Sequence, residues 1–489
     1  MAGPGEPATT GGITFANTTG LRPIIVERCP TQASPAALFD RLPAGPGRFL
    51  LESAGGPRDI AGWSFLGFRP YLTITARGTL VEISGPDGTD RRQMNPFDAV
   101  DAVLSRYAVE RDQELPPFCG GLVGYFAYDA GRCLERMPAT ATDDLALPDV
   151  YLHAYDAAVA FDHVRGEALV VVLPIPGREA AALATAHTLA ALVREAPPAL
   201  PPLQPVTHRL AITSNFEQDV YLQAVARAID YIGAGDIFQV NLAQRFTTAL
   251  PFSPWELYRR LRAINPAPFA AFLDGGDFQV VSASPERFLH VRPVPGTRQS
   301  RVETRPIKGT RPRGATPAAD DAQRHALRAS PKERAELTMI VDLMRNDIGR
   351  VCQFGTVQVP DLRRIEAYPT VFHTVATVEG LLNPGVTPGQ LLKATFPGGS
   401  VTGAPKIRAM EIIEELEGLR RGVYCGALGY LAFSGTVDLN IVIRTLLCRN
   451  GNAYFHAGGG IVADSEPAAE YEETLCKARA LIDALLGRV

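Results

Sequence analysis

The sequence predicts an α+β chain in which packed antiparallel sheets are flanked by helices. Three observations lead there: β-rich runs separated by turn residues, helical stretches with recognisable ends, and a final third whose period changes from helical to alternating. Met1 to Gly12 is rich in Gly, Pro and Thr and has no basic segment followed by an apolar one, which excludes a signal peptide and leaves residues 1–20 as a disordered tail. Tyr71 to Ala76 and Leu80 to Ile83, separated by Arg77-Gly78, form a hairpin. Ala180 to Leu192 is alanine-rich and helical. Pro197, Pro198, Pro201, Pro202 and Pro205 then exclude helix or central strand, since proline lacks the donor and restricts its predecessor. The chain is therefore divided into an N-terminal subdomain, 21–205, and a C-terminal one, 206–489.

Asp219 to Ile232 has helical periodicity and ends at Gly233 and Gly235. Ser330-Pro331-Lys332-Glu333 supplies an N-cap, a proline at the first helical position and a capping-box glutamate, ahead of an apolar stripe through Leu337, Ile340, Val341 and Met344. Ala404 to Leu416 is a further helix, preceded by the loop Pro397 to Gly403. Val423 to Phe433 and Thr436 to Arg449 are expected as long strands joined at Ser434-Gly435. Asn450-Gly451 marks a type I′ turn into Ala453 to His456. Pro467 to Leu486 closes the chain as a helix. One echo is visible: Cys119 to Tyr128 resembles Cys425 to Phe433, which suggests similar central strands in both halves.

The 489 residues are 46% hydrophobic and carry a net charge of −4 with acids and bases interspersed, enough for a large core and without a basic stripe for nucleic acid or a polybasic membrane signal. No uninterrupted run of about 18 apolar residues occurs. The seven cysteines are scattered, with no C-x-x-C pair, which fits a reducing, cytoplasmic setting and argues against structural zinc.

Chemistry concentrates after residue 280. Lys308, in Arg305 to Gly314, is a nucleophile only if burial or a neighbouring cation lowers its pKa; otherwise it solvates a turn. Glu333 with Glu336 and Glu470 with Glu473 each stand three residues apart at a helix start, which puts both carboxylates on one face and offers oxygen ligands to magnesium. Acids in a first turn also complement the helix dipole, the blander reading. Arg444 is placed in mid-strand, ready for a carboxylate of a substrate or of the protein. Gly458, Gly459 and Gly460 follow a strand and expose N–H groups to an anion, or form a loose turn. The loop Gly398 to Gly403 is a second anion site, although Ala404-Pro405-Lys406 excludes a Walker A reading. Glu286 and His373 are acid or base candidates.

Together the runs of this half resemble the chorismate-utilising enzymes, and within them the first component of aminodeoxychorismate synthases. The resemblance rests on Gly235 to Leu242, Ser284 to Phe288, Pro306 to Gly314, Ile340 to Asp347, Phe396 to Met410, Ala457 to Asp464 and Glu470 to Thr474. It implies a sandwich of two intertwined subdomains like that of anthranilate synthase component I, with magnesium and chorismate in a cleft of the C-terminal part. By resemblance, Glu333, Glu336, Glu470 and Glu473 hold magnesium directly or through water. Arg444, Tyr430 and Gly458 to Gly460 surround the substrate carboxylates, with Thr310, Thr402 and Lys477 as further substrate contacts. Lys308 stands where anthranilate synthases usually carry alanine. Its amine would attack C2 of chorismate with loss of the C4 hydroxyl, protonated by Glu286; ammonia then adds at C4 and releases the lysine, giving 4-amino-4-deoxychorismate for 4-aminobenzoate and folate synthesis. His373 matches a histidine that assists pyruvate elimination in anthranilate synthases, a step not needed here.

Before the proline-rich stretch the match is weaker, in Leu50-Leu51-Glu52-Ser53 and Phe118 to Tyr128. Leu51, Glu52 and Ser53 correspond to a tryptophan pocket, regulatory in anthranilate synthases and structural in aminodeoxychorismate synthases; the sequence leaves both readings open. The interval from Phe288 to Arg305 is longer than usual in these relatives and is expected to form an extended hairpin. No Gly-x-Cys-x-Gly nucleophile turn is present, so ammonia is expected from solution or from a glutamine amidotransferase subunit forming a heterodimer. Two alternatives remain: anthranilate synthase component I, and an inactive tryptophan-binding regulatory subunit.

Overall fold

Strands buried at every position need a layer on each face, and Gly121–Phe126, Ala157–Asp162 and Ala427–Ala432 are of that kind. The computed structural model, which describes residues 21–31, 33–110, 114–195, 199–206 and 210–488, supplies those layers as two stacked sheets with helices outside both. The predicted tail, and Ala196 to Pro198 of the proline-rich stretch, lie outside the described residues.

The first sheet runs edge to edge through Ile24–Pro30, Glu167–Val172, Ala157–Asp162, Trp63–Gly67, Phe49–Glu52, Phe269–Asp274, Phe278–Ser284, Thr445–Arg449, Asn452–Ile461, Gln239–Ala249 and Thr213–Ser214. The second runs through Ile307–Pro312, Val371–Leu381, Ser300–Arg305, Arg287–Pro293, Val437–Ile441, Ala427–Ala432, Gly121–Phe126, Val150–Tyr155, Leu72–Arg77, Leu80–Gly85 and Gly88–Gln93, with Gln358–Ala367 paired to Val371–Leu381. Helices Glu179–Arg194, Pro254–Ile264 and Pro467–Leu486 cover the first sheet; Pro96–Arg106, Pro331–Gly349 and Pro388–Thr395 cover the second. Among the described residues no helix is long and apolar enough to cross a membrane.

The strand order repeats. Counted outward from the middle of each sheet, residues 24–172 and 239–461 visit the same positions in the same chain order, apart from Ile307–Pro312, Gln358–Ala367 and Gly403–Ala404, which the second copy adds, and the two copies meet where Leu51 pairs Ala271 and Gly124 pairs Gly429. The sequence echo is thereby explained, since its two segments are equivalent strands bonded to each other. Glycine is required there: a Cβ on Gly124 would lie 2.0 Å from the Tyr151 carbonyl oxygen, and one on Gly429 2.1 Å from that of Asp438.

Two crossings from sheet to sheet recur in both copies, the C-terminal one also touching the first sheet at Gly403–Ala404. In the C-terminal copy the crossings are Pro285-Glu286 and Val442 to Arg444; in the N-terminal copy they are residues 68–71 and Asp156. The long strand expected over Thr436 to Arg449 is therefore broken. Arg444 adopts a left-handed conformation with φ 54°, Cys425 likewise interrupts Val423 to Phe433 with φ 62°, and alternation could not reveal the break because both pieces are buried on both faces. At the Asp156 crossing, Arg178 Nε donates to Asp156 Oδ2 at 3.0 Å, and its guanidinium stacks over Tyr71.

Helix starts follow the sequence closely. Pro331–Gly349 and Pro467–Leu486 begin at their prolines, and Asn450 and Gly451 take the positive φ values that a type I′ turn needs. The expected long hairpin is present as Arg287–Pro293 and Ser300–Arg305. Ser330 caps its helix by accepting from the Glu333 N–H, but the reciprocal capping-box bond is replaced by a 2.6 Å ion pair of Glu333 with Arg311. The helix expected from Ala404 is Lys406–Glu417, because Ala404 pairs with Gln239 and Pro405 takes the N-cap.

A buried ion pair fastens this last helix. Arg421 donates to Glu417 at 2.9 and 2.6 Å and to the carbonyls of Val401 and Asn241, while Glu417 also accepts from the Ala243 N–H. Glu417→Gln strands the buried guanidinium and is expected to cost about 3–5 kcal/mol, read as a lower urea midpoint with unchanged m-value.

Candidate active site

The two crossings of the C-terminal copy are bonded to each other. Ala283 N–H donates to Arg444 O at 3.1 Å, Ser284 Oγ to Ile441 O at 2.6 Å, and Ile441 N–H to Glu286 O at 3.0 Å. The candidate site gathers where the chain crosses between the sheets, with Glu286 on one crossing and Arg444 on the other. Lys308 enters from strand Ile307–Pro312, opposite Thr374, and a bulge at Gly309, with φ 82°, separates it from the Thr310–His373 pair.

Glu286 is buried. Burial pushes its pKa up to about 7, against hydrogen bonds from Ser400 and the Ile307 N–H and the field of Lys308. Lys308 Nζ lies 3.5 Å from the Ser400 carbonyl oxygen, which also accepts from Asn241 Nδ2 at 2.9 Å. Burial, reinforced by the Lys477 charge, lowers the Lys308 pKa against the pull of Glu336, Glu286 and Glu473. His373 accepts from or donates to Thr310 Oγ1 at 2.9 Å through Nδ1; burial and the Arg444 charge push its pKa down to about 4, so the ring is neutral at pH 7.

The paired glutamates approach from two helices. Glu473 Oε1 meets Lys477 Nζ at 2.5 Å, and Lys477 also donates to Gly458 O at 3.0 Å. Burial pushes the Glu473 carboxyl up, but Lys477, Lys332 and Lys308 bring it below the ordinary value. Glu470 accepts from Ser465 Oγ at 2.6 Å; burial raises its pKa, and Glu473 adds to the rise. Glu333 is raised by burial despite Arg311, and its Oε2 is buried without a partner. A Cβ on Gly459 would come within 3.1 Å of Glu470 Oε2 and 3.3 Å of Glu473 Oε1, so both carboxylates press on this glycine. No three candidate ligands are close enough to form a ready cation cage among the described residues. The all-oxygen donors and the orphan Glu333 Oε2 fit a hard ion that takes few carboxylates and fills its remaining positions with water or substrate.

Several expectations need correction. Gly458 to Gly460 do not follow a strand; they lie inside Asn452–Ile461, paired with Ala243, Leu242 and Asn241, while the strand's other edge has no partner past Phe455 among the described residues. Arg444 is at a crossing rather than in mid-strand, and donates to the Lys477 carbonyl. Tyr430 is not brought to the cleft: its ring packs on Phe65 and Phe118, and Phe65 is paired to Leu51. Tyr424 is the tyrosine beside Arg444, stacked on His456 at 4.7 Å. Thr402 is buried, its hydroxyl donating to Gly398 and Gly399 carbonyls of its own turn. Away from the cleft, Glu52 Oε2 accepts from Tyr258 and from Arg262, both at 2.7 Å, and Ser53 Oγ donates to Trp63 and Pro268 carbonyls. Lys332, Asn241 and Ser400 were not singled out from sequence, although Ser400 lies in the glycine-rich anion loop and Asn241 in the segment Gly235 to Leu242.

The family described as chorismate binding enzyme matches residues 47–483. The chain belongs to the chorismate-binding enzymes. It is 42% identical to anthranilate synthase component 1 of Thermus thermophilus, over 90% of this chain and 92% of that protein. It is 41% identical to aminodeoxychorismate synthase component 1 of Klebsiella aerogenes, over 91% and 95%. The crystal structure of anthranilate synthase component I from Streptococcus pneumoniae superposes with a TM-score of 0.74 at 33% identity, covering 90% of this chain and 93% of that one. The sandwich expected from the sequence is thus the fold of this family.

Gly459→Ala pushes the Glu470 and Glu473 oxygens out of register and is expected to lower kcat/KM for chorismate about 10²-fold with the melting temperature little changed, measured by chorismate consumption alongside calorimetry.

Proposed function

We propose that the chain aminates chorismate at C4, forming 4-amino-4-deoxychorismate. The observation that carries this reading is Lys308, an amine with a lowered pKa close to the buried acid Glu286. A neutral amine attacks C2; the C4–O bond breaks as Glu286 gives its proton to the departing hydroxyl, which leaves as water. Ammonia then adds at C4, the double bond shifts back, and the C2–N bond to Lys308 breaks. A Glu286 pKa of about 7 suits this role, since the group is still half protonated near neutrality. Arg444 and Lys477 offer cationic contacts to the substrate carboxylates, and the neutral His373–Thr310 pair lines the same region.

Magnesium fits beside Glu333, Glu336, Glu470 and Glu473. When bound it supplies Lewis-acid polarisation of a substrate carboxylate. Ammonia comes from a separate glutamine amidotransferase subunit, in keeping with the component 1 names of the relatives. A second reading, anthranilate synthesis, is favoured by the equally similar anthranilate synthases and by the placement of His373 in the cleft.

Incubation with chorismate, magnesium and ammonium separates the two. Fluorescent anthranilate without an added lyase would defeat the proposal; 4-aminobenzoate appearing only after aminodeoxychorismate lyase is added is expected. Omitting ammonium should leave a chorismate-derived mass adduct on the Lys308 peptide, lost in Lys308→Ala. Glu286→Gln is expected to lower kcat by about 10²–10⁴-fold. Since the acid must be protonated to act, kcat of the wild type should fall as pH rises through about 7, measured as a pH–rate profile.

A further inference from the structure

Outside the candidate active site, one cleft gathers cationic side chains that the proposed reaction does not use. It has a volume of about 540 Å³, within the range of small-molecule sites, and lies between helix Pro317–Ala329 and strand Gln358–Ala367. Four arginines line it, Arg324, Arg328, Arg363 and Arg364, against one carboxylate, Asp361. Arg364 is already committed to Asp59, at 2.9 and 3.2 Å. The other three are not. Arg324 reaches Asp321 only at 4.0 Å, Arg328 forms no ion pair among the described residues, and Arg363 donates to the Arg328 carbonyl while its Nε is buried without a partner. Phe372 lies fully buried beneath the cleft, its ring centroid 5.2 Å from the Arg324 guanidinium and 4.7 Å from that of Arg313.

We propose that this cleft binds a small polyanion, a molecule carrying at least two phosphate or carboxylate groups, through Arg324, Arg328 and Arg363. Guanidinium forks match both groups in geometry, and four arginines against one lining carboxylate leave an excess of positive charge that an anion would meet. A small molecule suits the cleft better than an acidic peptide. Strand Gln358–Ala367 would be the edge on which a peptide could add, but it contains Pro360 and its register shifts twice, between Gln358 and Asp361 and between Asp361 and Arg364. Both features obstruct strand addition. The cleft also backs directly on the active site. Phe372, buried beneath the cleft, and His373 are successive residues of one strand and face opposite sides of the sheet, so the cleft and the histidine that meets Thr310 lie on opposite faces of the same strand.

Isothermal titration of the full chain in metal-free buffer tests this independently of the chemistry at Lys308. The probes are fructose 1,6-bisphosphate, citrate, inorganic phosphate and a short glutamate peptide. Binding of the bisphosphate or of citrate is expected, the preferred one identifying the anionic group, with Kd raised at least about tenfold in both Arg328→Glu and Arg324→Glu. Both residues are exposed and lie outside the reaction cleft, so chorismate consumption without the probe should match wild type. The proposal is overturned if neither polyanion binds, if both variants bind as wild type does, if inorganic phosphate binds as tightly as the polyanions, or if only the peptide binds.

Discussion

The candidate site depends on one constraint: two chain crossings between the sheets must lie side by side. Three hydrogen bonds hold Pro285-Glu286 against Val442 to Arg444. Where strands leave one sheet for the other the ladder stops, and side chains at the crossings lie between the layers: Glu286 takes hydrogen bonds from Ser400 and the Ile307 N–H, and Arg444 donates to the Lys477 carbonyl. Glu286 is buried by that geometry and keeps its proton to about pH 7; Arg444 takes a left-handed backbone to make the same turn. Backbone strain of this kind persists only where the surroundings impose it. Here the two sheets do so.

Electrostatics in the cleft are a contest between burial and neighbours. Lys308 is pulled up by three glutamates and pushed down by desolvation and Lys477, and the downward pair prevails. Glu473 shows the reverse, with lysines overcoming burial. Because Lys477 bonds both Glu473 and the Gly458 carbonyl, and its own carbonyl receives Arg444, one turn of helix Pro467–Leu486 links the glutamates, the glycine strand and the arginine. A shift of that helix would alter all three together.

Much of this was legible in the sequence where a local rule applies. Pro331 and Pro467 start their helices, and Asn450-Gly451 turns as its residues require. The glutamate pairs, three residues apart, stand at those helix starts. What failed was everything decided by partners distant in sequence. Nothing local to Thr436 to Arg449 says that its two pieces belong to different sheets, so Arg444 was read as a strand residue. The three glycines read as a turn because glycine is rare in strands, whereas here close approach of Gln239, Ala243 and the two carboxylates demands them. Tyr430 and Tyr424 are six residues apart across the interruption at Cys425; only the fold shows which of them lies beside Arg444. Tyr424 offered no separate signal.

The repeated topology means that the corner holding Glu286 and Arg444 has a counterpart at Asp156. There the chain is its own guest: Arg178 reaches in, pairs with Asp156 and lies over Tyr71. The same corner is thus built twice, once closed by an arginine paired to Asp156 and once lined by Glu286 and Arg444. The plugged copy shows that such a corner is stable when an internal cation fills it. The side chains that line each corner, and not the architecture, therefore decide what that corner can do.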